Sequence, residues 1–167
     1  MTVRPPDPGE PAAVTAIALL AAGCRTIGTA ESLTGGLVAA ALTSVPGASK
    51  VFRGGIVAYT ADLKIALLGV PADLIARVGT VHPEVALAMA RGARDRLSAS
   101  VGVGTTGVAG PDPADGQPVG TVHIAVSMPA GDRHRALALT GSREQIRAAT
   151  VDRVLELLVG TLVEETD

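Results

Sequence analysis

The sequence predicts an α/β protein, a three-layer α/β/α sandwich with a mixed, mostly parallel sheet. Short apolar segments typical of buried strands alternate with segments of helical periodicity. Near the carboxyl end, two strand-like segments are separated only by a turn, which adds an antiparallel hairpin to the sheet. The 167 residues, 47% of them hydrophobic, suffice for one well-filled core. In open sheets of this kind, ligands bind beyond the carboxyl ends of the strands.

Start and stop signals divide the first part of the chain into helices and strands. Gly23 follows the first helical segment, Pro46 and Gly47 stop the second, and Pro83 stands in the first turn of a longer helix. The segment CRTIGTAE has the apolar character of a buried strand. The predicted elements are helix 11–22, strand 24–31, helix 34–44, strand 51–59, and helices 60–68, 71–78 and 82–97.

The second part of the chain predicts three strands and a long final helix. Residues 101–105 form a short, apolar, β-branched strand, and the segment TGVAGPDPADGQPVG after it has the glycine and proline content of a loop. Strands 119–127 and 133–139, joined by the turn PAGD, form the predicted hairpin. Helix 142–165 begins at Ser142, a favourable N-cap.

Composition and charge exclude several classes of protein. The net charge of −2 and the near absence of aromatic residues argue against a nucleic-acid partner. No apolar run approaches the roughly 20 residues of a membrane span, so no membrane association is expected. The single Cys24 cannot form an internal disulfide, which favours a cytoplasmic protein. Cys24 itself is expected to be a small buried residue. Residues 1–10, rich in proline, predict a disordered lead-in to a single domain over residues 11–167.

The segment TAESLTGG passes from a strand into a helix and carries the first candidate site. Ser32 and Thr34 offer hydroxyl groups, and Gly35 and Gly36 allow a ligand to approach the backbone closely. The N–H groups at a helix start attract anions and can form an oxyanion hole for a serine nucleophile. The alternative is that these hydroxyl residues are ordinary N-caps.

A serine nucleophile needs a base, and Lys64 is the candidate that the sequence favours. The three histidines do not follow a predicted active-site strand, which leaves a Ser-His-Asp triad without support. Of the fourteen cationic side chains, only Lys50 and Lys64 are lysines, and only lysine can lose its proton near neutral pH. No carboxylate shares the helix face of Lys64, so desolvation would lower its pKa. The alternative is a solvated surface lysine.

Two further groups of residues are candidates for binding a phosphate or a carboxylate. Residues 101–107 match the letters of a dinucleotide fingerprint, but the prolines that follow forbid the helix that this fingerprint requires. What remains is a glycine-rich turn with Thr105, Thr106 and Gly107, or a plain surface turn. Arg143 and Arg147 lie four residues apart and either clamp a phosphate together or form a solvated stripe. The scattered histidines predict no metal site, and no cofactor is expected.

Four ordered blocks of the sequence closely resemble the CinA C-terminal domain family, whose characterised members are nicotinamide mononucleotide amidohydrolases. The blocks are TAESLTGG, GGIVAYTADLKIALLGV, TTGVAGPDPADGQPVGTVHIAV and GSREQIR, and the resemblance runs from about residue 11 to the end. It implies a small-molecule nucleotide substrate, no cofactor, a homo-oligomer, and a hydrolysis that releases ammonia in pyridine nucleotide salvage. The family's catalytic serine and lysine fall on Ser32 and Lys64.

The resemblance also implies substrate-site roles for Tyr59, Thr106 and Arg147. In the expected reaction, Ser32 attacks the amide carbon, Lys64 takes its proton, and N–H groups near residues 34–36 hold the oxyanion. The chain departs from the commonest family pattern at Leu33, at Thr60-Ala61 and at His123. Because Thr60-Ala61 lies close to Lys64 in the sequence, a nucleotide-binding or regulatory module without turnover stays open as an alternative. A scaffold or oligomerisation module also stays open, because the small-residue helix at 34–44 offers a tight packing face.

Overall fold

A computed structural model, which describes residues 11–165, has strands and helices in the predicted alternation. A short 3₁₀ helix, Ala48–Lys50, lies between the second helix and the second strand. The elements in chain order are α1 (Ala12–Ala22), β1 (Ile27–Glu31), α2 (Leu37–Thr43), β2 (Phe52–Val57), α3 (Ala61–Leu68), α4 (Ala72–Val78), α5 (Pro83–Arg96), β3 (Val101–Gly107), β4 (Thr121–Met128), β5 (Gly131–Ala138) and α6 (Arg143–Glu164).

The strands form one mixed sheet, as predicted. Within residues 11–165 the sheet has five strands in the order β2-β1-β3-β4-β5. Strands β2, β1 and β3 are parallel, β4 is antiparallel to β3, and β5 is antiparallel to β4, so only β4 runs against the others. At the end of the central strand, Glu31 pairs with Val57 on one side and Thr105 on the other. The carboxyl ends of all three parallel strands therefore meet at one edge.

Helices cover both faces of the sheet and complete the three layers. The larger core joins α1, α2 and α6 to side chains such as Val101, Val103 and Ile124. On the opposite face, α3, α4 and α5 pack around Ala30, Met89 and neighbouring apolar residues. No helix within residues 11–165 has both the length and the apolar character needed to span a bilayer.

Helix α5 approaches β3 more closely than a side chain would allow. A Cβ atom at Gly102 would lie 1.9 Å from the carbonyl oxygen of Ala90, and one at Gly104 would lie 2.4 Å from that of Ala86. Both glycines therefore let the helix rest directly on the strand backbone. This contact fixes the position of β3, whose end contributes to the site described below.

Several predicted boundaries were wrong, mainly because tertiary contacts overrule local preference. Helix 34–44 begins only at Leu37, because residues 33–36 form a turn that ends with Gly36 at a left-handed φ of 101°. Strand β3 continues to Gly107, so the predicted turn at residues 105–107 is part of the sheet. The hairpin turn contains only Pro129 and Ala130. Cys24, expected to be buried, is exposed.

The predicted lead-in at residues 1–10 lies outside the described residues.

The close contact of α5 with β3 predicts that a methyl group at Gly102 lowers stability, whereas one at Gly160, a glycine of α6 with open space around it, raises stability. Gly102→Ala should lower the free energy of unfolding by about 1–3 kcal/mol, because the new methyl group overlaps backbone atoms of α5. Gly160→Ala in α6, where a Cβ atom would meet nothing within 4 Å, should raise it by about 0.5–1 kcal/mol. Urea denaturation of both variants measures the two changes. Equal stability of Gly102→Ala and the wild type would contradict the packing described.

Candidate active site

The carboxyl ends of β1, β2 and β3 surround a cavity of about 210 Å³. Ser32 follows β1 directly, Tyr59 comes two residues after β2, and Thr106 is the last residue but one of β3. The backbone N–H of Ser32 donates to the carbonyl of Thr105 at 3.1 Å, which continues the sheet pairing up to the serine. The polar side chains that line the cavity belong to Ser32, Tyr59, Thr80, Thr106, Asp112, Asp115 and Arg143.

The structure brings Ser32 and Lys64 into direct contact. The Nζ atom of Lys64 lies 2.9 Å from the Oγ atom of Ser32. The same nitrogen donates to the carbonyl oxygens of Ala58 at 2.9 Å and Tyr59 at 3.0 Å. Lys64 is only 1% exposed and Ser32 8%. The predicted alternative of a solvated surface lysine is therefore wrong.

The three partners of Lys64 determine where its lone pair points. A charged ammonium group has three hydrogens and can donate to all three oxygens. A neutral amine has two hydrogens and one lone pair, and carbonyl oxygens can only accept. The two carbonyls therefore take both hydrogens of the neutral amine, and its lone pair is directed at the hydroxyl of Ser32. In this state the serine hydroxyl donates to the amine, which is the geometry of a general base.

The surroundings of Lys64 favour its neutral form more than water does. Burial lowers the pKa of Lys64 to about 8, and the negative charge of Asp115 acts in the opposite direction. About a tenth of the amines would then be neutral at pH 7. A neutral amine is thus accessible without the strongly alkaline conditions that a solvated lysine requires.

Glu31 holds the turn that carries Ser32. This buried carboxylate, 1% exposed, accepts hydrogen bonds from the backbone N–H groups of Gly36 and Val38 at 3.0 Å and of Ala39 at 2.9 Å. It therefore occupies the start of α2, where unpaired N–H groups would otherwise need partners. The family block contains this residue, but sequence reasoning gave it no role.

The expected oxyanion donors in this turn are only partly available. The N–H of Gly35 donates to the carbonyl of Ser32, and that of Gly36 donates to Glu31. Both glycines have left-handed φ angles, 56° and 101°, so their role is to shape the turn. The N–H groups of both glycines therefore already have acceptors within the protein. Among the described residues, the N–H groups of Leu33 and Thr34 have no acceptor.

Arg147 and Thr34 support the same turn from outside the cavity. Arg147 Nε donates to the carbonyl of Leu33 at 2.9 Å, and one Nη donates to the carbonyl of Thr34 at 3.2 Å. The Thr34 hydroxyl lies 2.8 Å from that of Thr105, and both threonines are fully buried. The lining of the cavity includes neither threonine, nor Gly35, Gly36 or Arg147.

Arg143 takes a different direction from Arg147, although the two residues are four apart. Its two Nη atoms donate to the carbonyl of Gly110 at 2.7 Å and to the hydroxyl of Tyr59 at 2.9 Å. Arg143 is exposed and lines the cavity together with Tyr59. The two arginines therefore do not point at one common anion site, as the expected clamp requires. Arg143 reaches the cavity rim, while Arg147 binds the serine turn.

Thr106 and Gly107 line the cavity from within β3 rather than from a turn. Their backbones pair with His123 and Val122 of β4, so they do not form the free anion-binding turn that was predicted. The Thr106 hydroxyl donates to the carbonyl of Thr80 at 2.7 Å. The side chains of Thr105 and Thr106 thus lie on opposite faces of β3: Thr105 contacts Thr34 in the serine turn, and Thr106 binds Thr80.

The sequence analysis missed the acidic side of the cavity. Asp112, Asp115 and Thr80 all contribute to its wall. Asp115-Gly116 is a dipeptide that favours a tight turn, which was a signal for the conformation of this segment. Nothing in the sequence indicated its partner, because Asp115 binds Thr80, 35 residues earlier in the chain.

The histidines do not contact Ser32. His123 and His134 bind each other, with 3.1 Å between Nδ1 of the first and Nε2 of the second. Burial, followed by the charges of His134 and His82, lowers the pKa of His123 to about 4. Within residues 11–165, no group of three or more His, Cys, Asp or Glu residues is arranged to hold a metal ion.

Comparison with known proteins identifies relatives for most of the chain. The family model described as "CinA C-terminal domain" matches residues 10–162. A CinA-like protein of Frankia casuarinae is 48% identical over 142 residues, which are 85% of this chain and 33% of that protein. One from Desulfotalea psychrophila is 45% identical over 141 residues, 84% of this chain and 34% of that protein. The chain spans about a third of the length of these relatives.

Solved structures match over nearly their whole length. The competence/damage inducible protein CihA from Agrobacterium tumefaciens has a TM-score of 0.85 and 37% identity, covering 96% of this chain and 98% of that one. A competence-damaged protein (CinA) superfamily protein from Escherichia coli has a TM-score of 0.87 and 31% identity, covering 94% and 93%.

The role of Glu31 in the serine turn predicts a large cost for Glu31→Gln. A glutamine amide would direct its NH₂ group at a backbone N–H, so at least one buried hydrogen bond would be lost. We expect the free energy of unfolding to fall by about 2 kcal/mol, measured by urea denaturation. Glu144→Gln, at an exposed position in the first turn of α6, is the matched control and should change it by less than about 0.5 kcal/mol. Similar losses in both variants would contradict this role.

Proposed function

The chain belongs to the CinA C-terminal domain family, and from this premise we propose that it hydrolyses the carboxamide of nicotinamide mononucleotide to the carboxylate and ammonia. The observation that carries the proposal is the contact between the Ser32 hydroxyl and the buried amine of Lys64. Two carbonyl groups orient that amine. The pair supplies a nucleophile and a base in one poorly hydrated place.

The proposed reaction has two halves. Ser32 Oγ forms a bond to the amide carbon while its proton moves to Lys64 Nζ. The tetrahedral species collapses, the carbon–nitrogen bond breaks, and Lys64 returns the proton to the leaving nitrogen, which departs as ammonia. A water molecule then attacks the ester, and Lys64 accepts one of its protons and passes it to Ser32 Oγ as the bond between that oxygen and the acyl carbon breaks. The released acid gives its remaining proton to solvent and leaves as the carboxylate.

The proposed oxyanion donor is the backbone N–H group of Leu33, the residue after Ser32 and part of the cavity wall. This N–H group has no acceptor among the described residues. Its peptide group includes the carbonyl of Ser32, which accepts from the N–H of Gly35 at 3.1 Å, and Arg147 holds the carbonyls of the next two residues, so the turn would keep the donor in a fixed orientation. Donors held in place before the reaction stabilise developing negative charge without a cost of reorganisation.

Arg143 is the proposed partner of the substrate phosphate. It is an exposed guanidinium at the cavity rim, and its bonds to Tyr59 and Gly110 restrict its orientation. A planar guanidinium binds a phosphate well. We assign Thr106 and Gly107 to the cavity wall beside the bound nucleotide, and Thr34, Gly35, Gly36, Thr105 and Arg147 to support of the serine turn.

We also propose a homo-oligomer in the cytoplasm. Large apolar side chains on and beside α3 are more than a third exposed, including Val57, Leu63 and Leu67, and such patches often lie in interfaces. The single cysteine supports a reducing compartment.

Removal of either member of the pair should abolish ammonia release from nicotinamide mononucleotide. We expect Ser32→Ala and Lys64→Met to lower kcat by about 10³-fold or more. Methionine has nearly the length of lysine and carries no buried charge, so the fold should be kept, as circular dichroism and thermal unfolding would show. The control is Lys50→Met, which changes the other lysine and should retain activity.

Two results would count against the proposal. Wild-type protein that binds the nucleotide but releases no ammonia would favour the binding or regulatory module. Turnover that survives in folded Ser32→Ala would exclude the serine as nucleophile.

The lowered pKa of Lys64 predicts how activity depends on pH. The amine accepts a proton only when it is neutral, so kcat/KM should rise with pH and level off above the pKa of about 8. At about pH 6 it should be about 100-fold below the plateau. Initial rates from about pH 6 to about pH 10, at nucleotide concentrations well below KM, give the profile. A flat profile would contradict a lysine base.

A further inference from the structure

A tight turn presents Asp115 at the wall of the cavity. Ala114 and Gln117 exchange backbone hydrogen bonds of 3.2 and 2.8 Å. Asp115 and Gly116 between them both have left-handed φ angles, 51° and 69°. These φ values are those of a type I′ turn, for which Asp-Gly is a favoured pair. The turn therefore holds Asp115 in a defined orientation.

Asp115 joins this turn to the opposite wall of the cavity. Its Oδ2 atom accepts hydrogen bonds from the backbone N–H of Thr80 at 2.7 Å and from the Thr80 hydroxyl at 2.5 Å. A Cβ atom at Gly79 would lie only 3.2 Å from Asp115 Oδ2, so a glycine leaves room for the carboxylate. The carbonyl of Thr80 in turn accepts from the Thr106 hydroxyl. A continuous chain of bonds thus links residue 115 to the sheet.

We propose that Asp115 is a positioning residue of the active site, which fastens the 114–117 turn to Thr80 and provides a fixed negative charge that acts on the buried amine of Lys64. The inference rests on the proposed function, because it assumes that this amine is the base. It assigns Asp115 no contact with the reacting atoms.

Other charged groups near the cavity do not have this effect. The two bonds from Thr80 lower the pKa of Asp115, which keeps the carboxylate ionised. Asp62, on the helix of Lys64, is bound to Thr60 at the surface. The remaining titratable or charged groups around the cavity are Asp112, Tyr59, Arg143 and His82, which follows the wall residue Val81. Asp115 shares the cavity wall with Ser32, whose hydroxyl lies 2.9 Å from Lys64 Nζ, and its negative charge opposes the effect of burial on the pKa of Lys64.

A negative charge here favours the ammonium form of Lys64. When the Ser32 proton moves to Lys64, a positive charge appears in a buried place where, among residues 11–165, the contacting groups are a hydroxyl and two carbonyl oxygens and no carboxylate. The field of Asp115 stabilises that charge and so opposes part of the cost of burial. It makes Lys64 a stronger base, at the expense of a smaller neutral fraction at a given pH.

The two lysines of the chain allow a test that does not depend on turnover. Protein labelled with ¹³C at lysine Cε should give two signals, and Lys50→Arg identifies the signal of Lys64. We expect Asp115→Asn to lower the titration midpoint of Lys64 by about half a pH unit, as loss of a nearby opposite charge requires. Asp112→Asn removes a charge from the same cavity and is the matched control, with no shift expected.

A second variant tests the fastening separately. Thr80→Val removes the hydroxyl bond and keeps the charge of Asp115. It should speed backbone amide exchange at residues 114–117 and leave the Lys64 midpoint unchanged. If Asp115→Asn does not fold, Asp115→Ser removes the same charge and leaves a small polar side chain.

The outcomes separate this inference from the proposed function. An unchanged Lys64 midpoint in folded Asp115→Asn and Asp115→Ser, or an equal shift in Asp112→Asn, would overturn it. Amide exchange unaffected by Thr80→Val would overturn the fastening role. Absence of ammonia release by the wild type would refute the proposed function, while the lysine titration would still decide the role of Asp115. With turnover present, the midpoint of the kcat/KM profile should move together with the NMR midpoint.

Discussion

The burial of the Lys64 amine without a carboxylate partner is the constraint on which the site depends. Removing an ammonium group from water costs several kcal/mol unless an opposite charge compensates. Among residues 11–165, the groups in contact with the amine are one hydroxyl and two carbonyl oxygens, and the charge of Asp115 acts on it without contact. The carbonyls of Ala58 and Tyr59 follow β2, and Ser32 follows β1, the neighbouring parallel strand. Parallel pairing of these two strands is therefore what brings the two carbonyl acceptors and the Ser32 hydroxyl to one amine.

Glu31, one residue before Ser32, presents the opposite arrangement. Its carboxylate is as buried as the lysine, but three backbone N–H groups at the start of α2 satisfy it. Because this helix terminus already has an anion, it has little capacity for a substrate phosphate. A turn with two glycines before a helix resembles an anion-binding loop in sequence, yet here it is closed by the protein's own side chain. An anionic group of a ligand would therefore need a binding partner outside this turn. Arg143 is an exposed cation that lines the cavity.

Much of the fold was predictable, because local patterns determine it. The alternation of strands and helices, the hairpin and the Ser142 cap follow from periodicity and from turn residues. Strand β3 was cut short because its last residues, Thr106 and Gly107, resemble a turn, whereas pairing with β4 keeps them extended. Helix α2 starts late because the carboxylate of Glu31 and two glycines stabilise a non-helical turn before it. These are tertiary effects that overrule local preference.

The site was predictable only in part, since side-chain direction is not a local property. Ser32 and Lys64 were identified from residue chemistry and a family resemblance, 32 residues apart, and the fold joins them. Arg143 and Arg147 share a helical spacing, but what they bind depends on loops far away in the chain: Gly110 and Tyr59 for one, the serine turn for the other. Asp115 was missed for the same reason, because its partner lies on another connection.

The end of β3 shows how these separate pieces become one site. Consecutive side chains of a strand point to opposite faces, so Thr105 reaches Thr34 in the serine turn while Thr106 reaches Thr80 on the other side of the sheet. Thr80 continues through Asp115 to the cavity wall. A displacement of β3 would therefore change the serine turn and the acidic wall of the cavity together. The close packing of α5 on Gly102 and Gly104 resists that displacement. These two glycines lie away from the cavity, yet their packing helps to keep Ser32, Lys64 and Asp115 in their relative positions.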